Sequence, residues 1–247
     1  AAQMADVLYL MVVNAEQVRI VLEEATQTLK KGAVVIIGST ITPADARSIA
    51  EDLEAQGYLL IDAPVSGGVV GATAATLSVM ASGSTKAFEI AQPVLDCIGG
   101  NIFNLGEENG NGSAVKVINQ LLCGVHIASM AEAIALGVKA GIDSQQLYDV
   151  ITKSAGNSWM FENRAPHMIQ NDYTPHSAVD IFVKDLGIVL GTGKDNKFPL
   201  PLASTALQLF TMASAAGFGR MDDSAVVKVY ETLTGVDVTG EQYKKSE

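Results

Sequence analysis

The chain has 247 residues, enough for one or two domains with a sizeable buried core. Hydrophobic residues make up 48%, charged residues 17%, and the mean hydropathy of +0.26 excludes a disordered chain. The net charge of −11 argues against a phosphate backbone or an anionic membrane as the main partner. Cys97 and Cys123 lie far apart with no CxxC or histidine companion, which supports neither a disulfide framework nor a structural zinc site, so a reducing cytoplasm is the expected compartment.

The opening AAQMADVLYLMVV reads as a helix end leading into an apolar strand. It has no initiator Met, basic region or signal cleavage site, and the expectation is a chain cut from something longer. Runs rich in Val, Ile and Leu predict strands over Val7–Val13, Ala33–Ser39, Tyr58–Val65, Leu77–Ser82 and Asn101–Leu105. Between them, 3.6-residue periodicity predicts helices over Ala15–Leu29, Pro43–Gln56 and Thr85–Leu95. Continuous apolar runs such as VLYLMVV and AVVIIG suit strands buried on both faces, so the first part is α/β with a doubly covered sheet.

After Gly112 the strand signals stop. Ser113–Ala140 is helix-compatible throughout and apolar nearly all round, which predicts a buried helix at the centre of a bundle. A membrane span is disfavoured because the charge-free stretch between Lys116 and Glu132 is only 15 residues and contains Asn119, Gln120, His126 and Ser129. Further helices are predicted at Asp143–Ser154, Asn157–Ile169, Ser177–Asn196, Pro201–Ala216 and Ala225–Leu233. The expected boundary is the glycine-rich Gly106–Gly112, separating residues 1–111 from an all-helical part at 112–247, with the tail EQYKKSE frayed.

Three places carry chemistry. Asp62-Ala63-Pro64-Val65-Ser66-Gly67-Gly68 follows a buried strand, and consecutive glycines allow N–H groups to converge on a carboxylate or phosphate; a plain turn is the alternative. Lys116, Asn119 and Gln120 stand at i, i+3 and i+4 on one face of the long helix. A lysine removed from water gives up its proton more readily, which suits a general acid or base for a carbonyl/alcohol couple; the alternative is a lysine that snorkels to solvent. Lys184-Asp185, by itself, reads as a solvated surface pair. His126, His167 and His176 show no metal-ligand spacing and default to structural roles, and Trp159 is either core or a pocket wall. Gly110-Asn111-Gly112 lacks the third glycine of GxGxxG, and the chain contains no GxxxxGK[ST], GxSxG or HExxH.

DAPVSGG at 62–68, GSAVKVINQ at 112–120 and KDL at 184–186, in that order and spacing, resemble the β-hydroxyacid dehydrogenase family, which includes 3-hydroxyisobutyrate dehydrogenase. AGNSWMFENR and YTPHSAVDIFVKDLG resemble its L-threonate branch. The resemblance implies the later part of a Rossmann-like sheet followed by a helical domain like that of 6-phosphogluconate dehydrogenase, joined by a long helix. It implies hydride transfer between NAD or NADP and a small hydroxy acid, with Lys116 as catalytic residue. Ser66, Gly67 and Gly68 would hold the substrate carboxylate, with Asn119 and Gln120 beside the substrate. Val12, Val13 and Thr40 would line the nucleotide, and Lys184 would close over substrate and nicotinamide. A homodimer or homotetramer is expected from the apolar helix. The sequence departs from the family's KxxNN at Gln120, and the family's opening strand and GxGxMG are not in it. The 247 residues by themselves are therefore expected to bind NAD weakly or not at all. The rival reading is a non-catalytic module kept for oligomerisation.

Overall fold

The computed structural model describes residues 2–239; the tail EQYKKSE lies outside the described residues. Strands β1 (Val7–Leu10), β2 (Val34–Ile37) and β3 (Leu59–Asp62) form a parallel sheet in the order β1-β2-β3, with Val7 opposite Val34 and Val34 opposite Leu59. Between these strands run α1 (Ala15–Ala25) and α2 (Pro43–Ala55). Each begins at a side-chain cap: Asn14 accepts the Gln17 N–H, and Thr42 accepts the Asp45 N–H with Pro43 opening the helix. Every residue of β2 is buried, and its side chains alternate between two cores. Val35 and Ile37 pack in the core that holds Leu22, Ile49 and Leu53, whereas Val34 and Ile36 pack in the one that holds Ala87, Phe88 and Leu95. Two covered faces are what the unbroken run VVII requires.

The strand expected over Tyr58–Val65 is divided. β3 stops at Asp62, and after Pro64, which has no N–H to give a ladder, β4 (Val65–Ser66) joins a second sheet with β5 (Leu77–Ala81) and β6 (Gly99–Asn104). β4 is antiparallel to β5 and β6 is parallel to it. An isolated antiparallel bridge between Asp62 and Ser82 stitches the two sheets together. A short helix, α3 (Gly68–Thr73), follows β4, and α4 (Thr85–Ile98), capped by Ser84, joins β5 to β6. β1 is also shorter than expected: Gly38 donates the last ladder bond to Leu10 O, and the Val12 N–H turns to Ser39 Oγ at 2.9 Å.

The chain forms two compact units that divide after Ile118. The long helix α5 (Asn111–Lys139) runs through that division and ends at Gly141, whose φ of +91° is the left-handed turn a glycine permits. The second unit continues with α6 (Ser144–Ile151), α7 (Trp159–Ile169), α8 (Val179–Asp195), α9 (Pro201–Ala213) and, after a π turn and a 3-10 turn, α10 (Val227–Thr234). Phe182 of α8 stacks on Phe210 of α9 with centroids 5.1 Å apart. Gly124 of α5 lets α8 close in, since a Cβ there would meet Leu186 at 2.8 Å. α5 is not buried all round. Ile127, Met130, Ala131, Ile134 and Val138 are buried, but Leu122 and Leu136 are exposed. By length and composition α5 could also cross a membrane, and 50% of that apolar window is buried within the protein.

Candidate active site

Asp62 is the centre of the first unit's polar core. Its carboxylate, fully buried at the end of β3, accepts the Ser113 hydroxyl at 2.7 Å, the Ser113 N–H at 2.8 Å and the Gly110 N–H at 3.0 Å. The Ser113 N–H belongs to the open first turn of α5 and the Gly110 N–H to the residue just before it, so a strand residue about 50 positions earlier caps the helix. Ser82 Oγ accepts the Gly112 N–H at 3.1 Å and completes the joint. A side chain at Gly112 would drive a Cβ to 2.3 Å from Met80 O and 2.6 Å from Asp62 O, so only glycine permits this approach. Burial pushes the Asp62 carboxyl above the usual range, against the pull of its hydrogen bonds.

Lys116 lies one turn further along α5 and is only 6% exposed. That burial removes the snorkelling alternative. The second candidate is the loop that follows Asp62 in the chain. Ser66 is in β4, and Gly67 and Gly68 have φ of +130° and +61°. Gly67 stands at the cap of α3 with no side chain to close the helix's first N–H groups. A Cβ at Gly68 would meet nothing within 4 Å. Backbone donors at a glycine corner with open space beside them suit a carboxylate.

On the nucleotide side, Val12–Val13 and Ser39–Thr40 follow neighbouring parallel strands, whose paired ends are Leu10 and Ile37. The carboxyl ends of adjacent strands are where open α/β sheets take dinucleotides. Gly38 packs there so closely that a Cβ would strike the Tyr9 hydroxyl at 2.3 Å. Val12 and Val13 thus stand at the same edge of the sheet as Thr40, and the turn after β1 carries no glycine-rich loop.

In the second unit Asn119, Gln120 and Lys184 are linked through Asp185, which the sequence offers only as half of a solvated surface pair. Asp185, 2% exposed, receives the Lys184 ammonium at 2.9 Å and the Gln120 amide N–H on its other oxygen. Gln120 in turn accepts from Asn119 Nδ2 at 2.9 Å. Lys184-Asp185 is therefore not the solvated pair its sequence suggests. The signal was present: Phe182, Asp185, Leu186 and Val189 share the buried face of α8, and a carboxylate in an apolar stripe calls for partners. Trp159, at the start of α7, is 60% exposed and does not fill the core. His167 does have the structural role expected, with Nδ1 3.0 Å from Asp222 Oδ1. Around it Arg164, Asp222 and Asp223 form a buried ionic cluster, Arg164 Nε donating to Asp223 at 2.7 Å.

Family profiles match most of the chain. One described as the NAD binding domain of 6-phosphogluconate dehydrogenase matches residues 1–106, and one described as NAD-binding of NADP-dependent 3-hydroxyisobutyrate dehydrogenase matches residues 110–230. The chain is 55% identical to an L-threonate dehydrogenase of Escherichia coli strain K12, over 94% of this chain and 78% of that protein. It is 40% identical to a 2-(hydroxymethyl)glutarate dehydrogenase of Eubacterium barkeri, over 98% of this chain and 81% of that one. A crystal structure of a 3-hydroxyisobutyrate dehydrogenase from Salmonella typhimurium superposes with a TM-score of 0.89 at 55% identity, covering 92% of this chain and 80% of the other. A Rossmann-like parallel sheet leading into a helical domain, with a buried lysine at the head of the long helix, defines an NAD(P)-dependent hydroxyacid oxidoreductase. The chain belongs to the β-hydroxyacid dehydrogenase family.

Proposed function

We propose that this protein oxidises or reduces a small β-hydroxy acid, with L-threonate the first candidate and 3-hydroxyisobutyrate-like acids the next. The observation that carries the reading is the joint at Asp62. It docks the head of α5, with Lys116 buried one turn on, at the end of β3, four residues before the Ser66-Gly67-Gly68 corner begins. The 55% identity to an L-threonate dehydrogenase supports the choice of substrate.

NAD or NADP, when bound, exchanges a hydride with the carbinol carbon. Lys116 Nζ takes the hydroxyl proton in the oxidative direction and returns it in the reductive one. The Ser66 hydroxyl and the Gly67 and Gly68 N–H groups hold the carboxylate, which sets the carbinol in one orientation. Asn119 contacts the substrate with Gln120 behind it, and Lys184 contributes a positive charge toward substrate and nucleotide. Val12, Val13 and Thr40 line the nucleotide. Residues 1–111 serve as the nucleotide-binding part and 112–247 as the substrate and oligomerisation part. A homodimer or homotetramer is supported by the exposed Leu122 and Leu136 of α5, and a cytoplasmic location by Cys97 and Cys123 forming no disulfide with each other.

The test is an initial-rate panel on the protein expressed from its complete gene, with L-threonate, 3-hydroxyisobutyrate, serine and tartronate against NAD+ and NADP+. Reduction of either nucleotide by L-threonate supports the reading. No turnover with any of the four acids rejects it.

A further inference from the structure

We infer that Asp185 and Gln120 are positioning residues that lock the amide of Asn119 with its carbonyl oxygen outward, so that the site selects an acid bearing an additional hydroxyl over one bearing an alkyl group. The inference rests on the proposed function and extends it to the class of substrate. It begins with a group that has no choice of role. The Asp185 carboxylate, held beside the Lys184 ammonium at 2.9 Å, only accepts hydrogen bonds. Gln120, itself buried, reaches that carboxylate with its Nε2, which turns its Oε1 the other way. Oε1 then accepts from Asn119 Nδ2 at 2.9 Å, and the same nitrogen lies 3.5 Å from Cys123 Sγ. Both hydrogens of the Asn119 amide are thereby directed into the protein.

The only atom of that amide left to meet a ligand is Oδ1, an acceptor. Asn119 lies on the same face of α5 as Lys116, one turn further on. An acceptor at that place pairs with a hydroxyl of a polyhydroxy acid and leaves the methyl of a branched acid without a partner. A site built around a hydrogen bond to a substrate hydroxyl rejects the analogue that lacks it far more strongly than an apolar pocket rejects one extra methylene. Gln120 is also the residue at which the sequence departs from KxxNN. The additional methylene of glutamine spans from α5 to Asp185 on α8 while its carbonyl still reaches Asn119.

The test compares wild type, Gln120→Leu and Asp185→Asn for kcat/KM with L-threonate and with 3-hydroxyisobutyrate. Calorimetric binding of each acid in the presence of NADH runs alongside. Leucine breaks the relay without adding charge. Asparagine at 185 can donate, so it lets the Gln120 and Asn119 amides reverse. In both variants the preference for L-threonate over 3-hydroxyisobutyrate, read as the ratio of their kcat/KM values, is expected to fall about 10- to 100-fold, because L-threonate loses more than 3-hydroxyisobutyrate does. If Asp185→Asn fails to fold, Gln120→Leu decides alone. An equal loss for both acids, or an unchanged preference, overturns the relay even if the dehydrogenase activity stands. If wild type binds L-threonate preferentially and the variants lose that preference, but neither acid turns over, the relay stands and the proposed reaction fails. Absence of binding by either acid overturns both.

Discussion

Replacing Asp62 separates its role as an acceptor from its role as a charge. Asp62→Ala strands two buried N–H groups, of Gly110 and Ser113, and removes the partner of the Ser113 hydroxyl. The hydroxyl can turn elsewhere, but each orphaned N–H costs about 1–3 kcal/mol, so the joint loses roughly 3–5 kcal/mol. Asp62→Asn behaves differently. Its single carbonyl can stand where Oδ2 accepts both N–H groups, and its NH2 can donate to a Ser113 hydroxyl that rotates to accept, for a loss of about 1 kcal/mol. The sign of the pH effect follows from burial, which raises the folded-state pKa of Asp62. The native protein holds this proton more tightly than the unfolded chain does. The resulting stability is fully present below the usual carboxylate pKa and is lost as pH rises through the folded value. Asp62→Asn cannot ionise, so its deficit relative to wild type shrinks from acid toward neutral pH. Thermal unfolding followed by circular dichroism at acid and neutral pH checks both statements, with a fall of roughly 10 °C or more expected for alanine. The alanine variant is also expected to lose kcat, because the turn carrying Lys116 is no longer docked. Equal damage from alanine and asparagine, or an alanine variant within about 1 kcal/mol of wild type, refutes the reasoning.

Gly68→Ala places a side chain at φ +61°, which costs roughly 1–2 kcal/mol, and it is expected to raise KM for the acid more than it lowers kcat. A matched loss in kcat alone speaks against a carboxylate site there. Burial pushes the Asp223 carboxyl up to about 7 against the pull of Arg164. This group therefore contributes stability below the usual carboxylate pKa that is lost as pH climbs through 7, and melting curves of Asp223→Asn should be flatter across that window than those of wild type. Parallel curves contradict this. Leu122→Glu puts a charge on the exposed apolar face of α5 and is expected to reduce the molecular mass seen by light scattering to that of a smaller oligomer or a monomer. An unchanged mass places the interface elsewhere.

The elements most legible in the sequence are those whose two faces see the same kind of neighbour. Val34–Ile37 reads as a buried strand because helices cover both sides of it. The starts of α1, α2 and α4 were legible because their caps, Asn14, Thr42 and Ser84, act within three residues of themselves, whereas α7 begins at Trp159, two residues after the expected start. Distant pairings were not legible. Asp62 sits visibly in DAPVSGG, yet its partners Gly110 and Ser113 lie 48 and 51 positions away, and no local periodicity points to them. The same distance hid the Gln120–Asp185 bond, which spans 65 positions, and made Lys184-Asp185 look like a surface pair. The break at Pro64 was readable in principle, but the apolar residues on either side outweighed it. The six-residue α3 is too short to show a period, so the corner that opens it read only as a turn. Lys116 was legible as a candidate because a charge inside so apolar a helix stands out, but its burial and the exposed side of α5 were not, since apolar composition alone does not say which face is covered.

The central claim is that Lys116 handles the proton of the substrate hydroxyl. It is tested most directly by kcat/KM of Lys116→Ala with L-threonate, with and without added methylamine. The account predicts a loss of about 10²- to 10⁴-fold, partly restored by the amine, with the protein folded as wild type. A loss of only a few-fold, or a large loss that methylamine leaves untouched while L-threonate binding disappears, contradicts it.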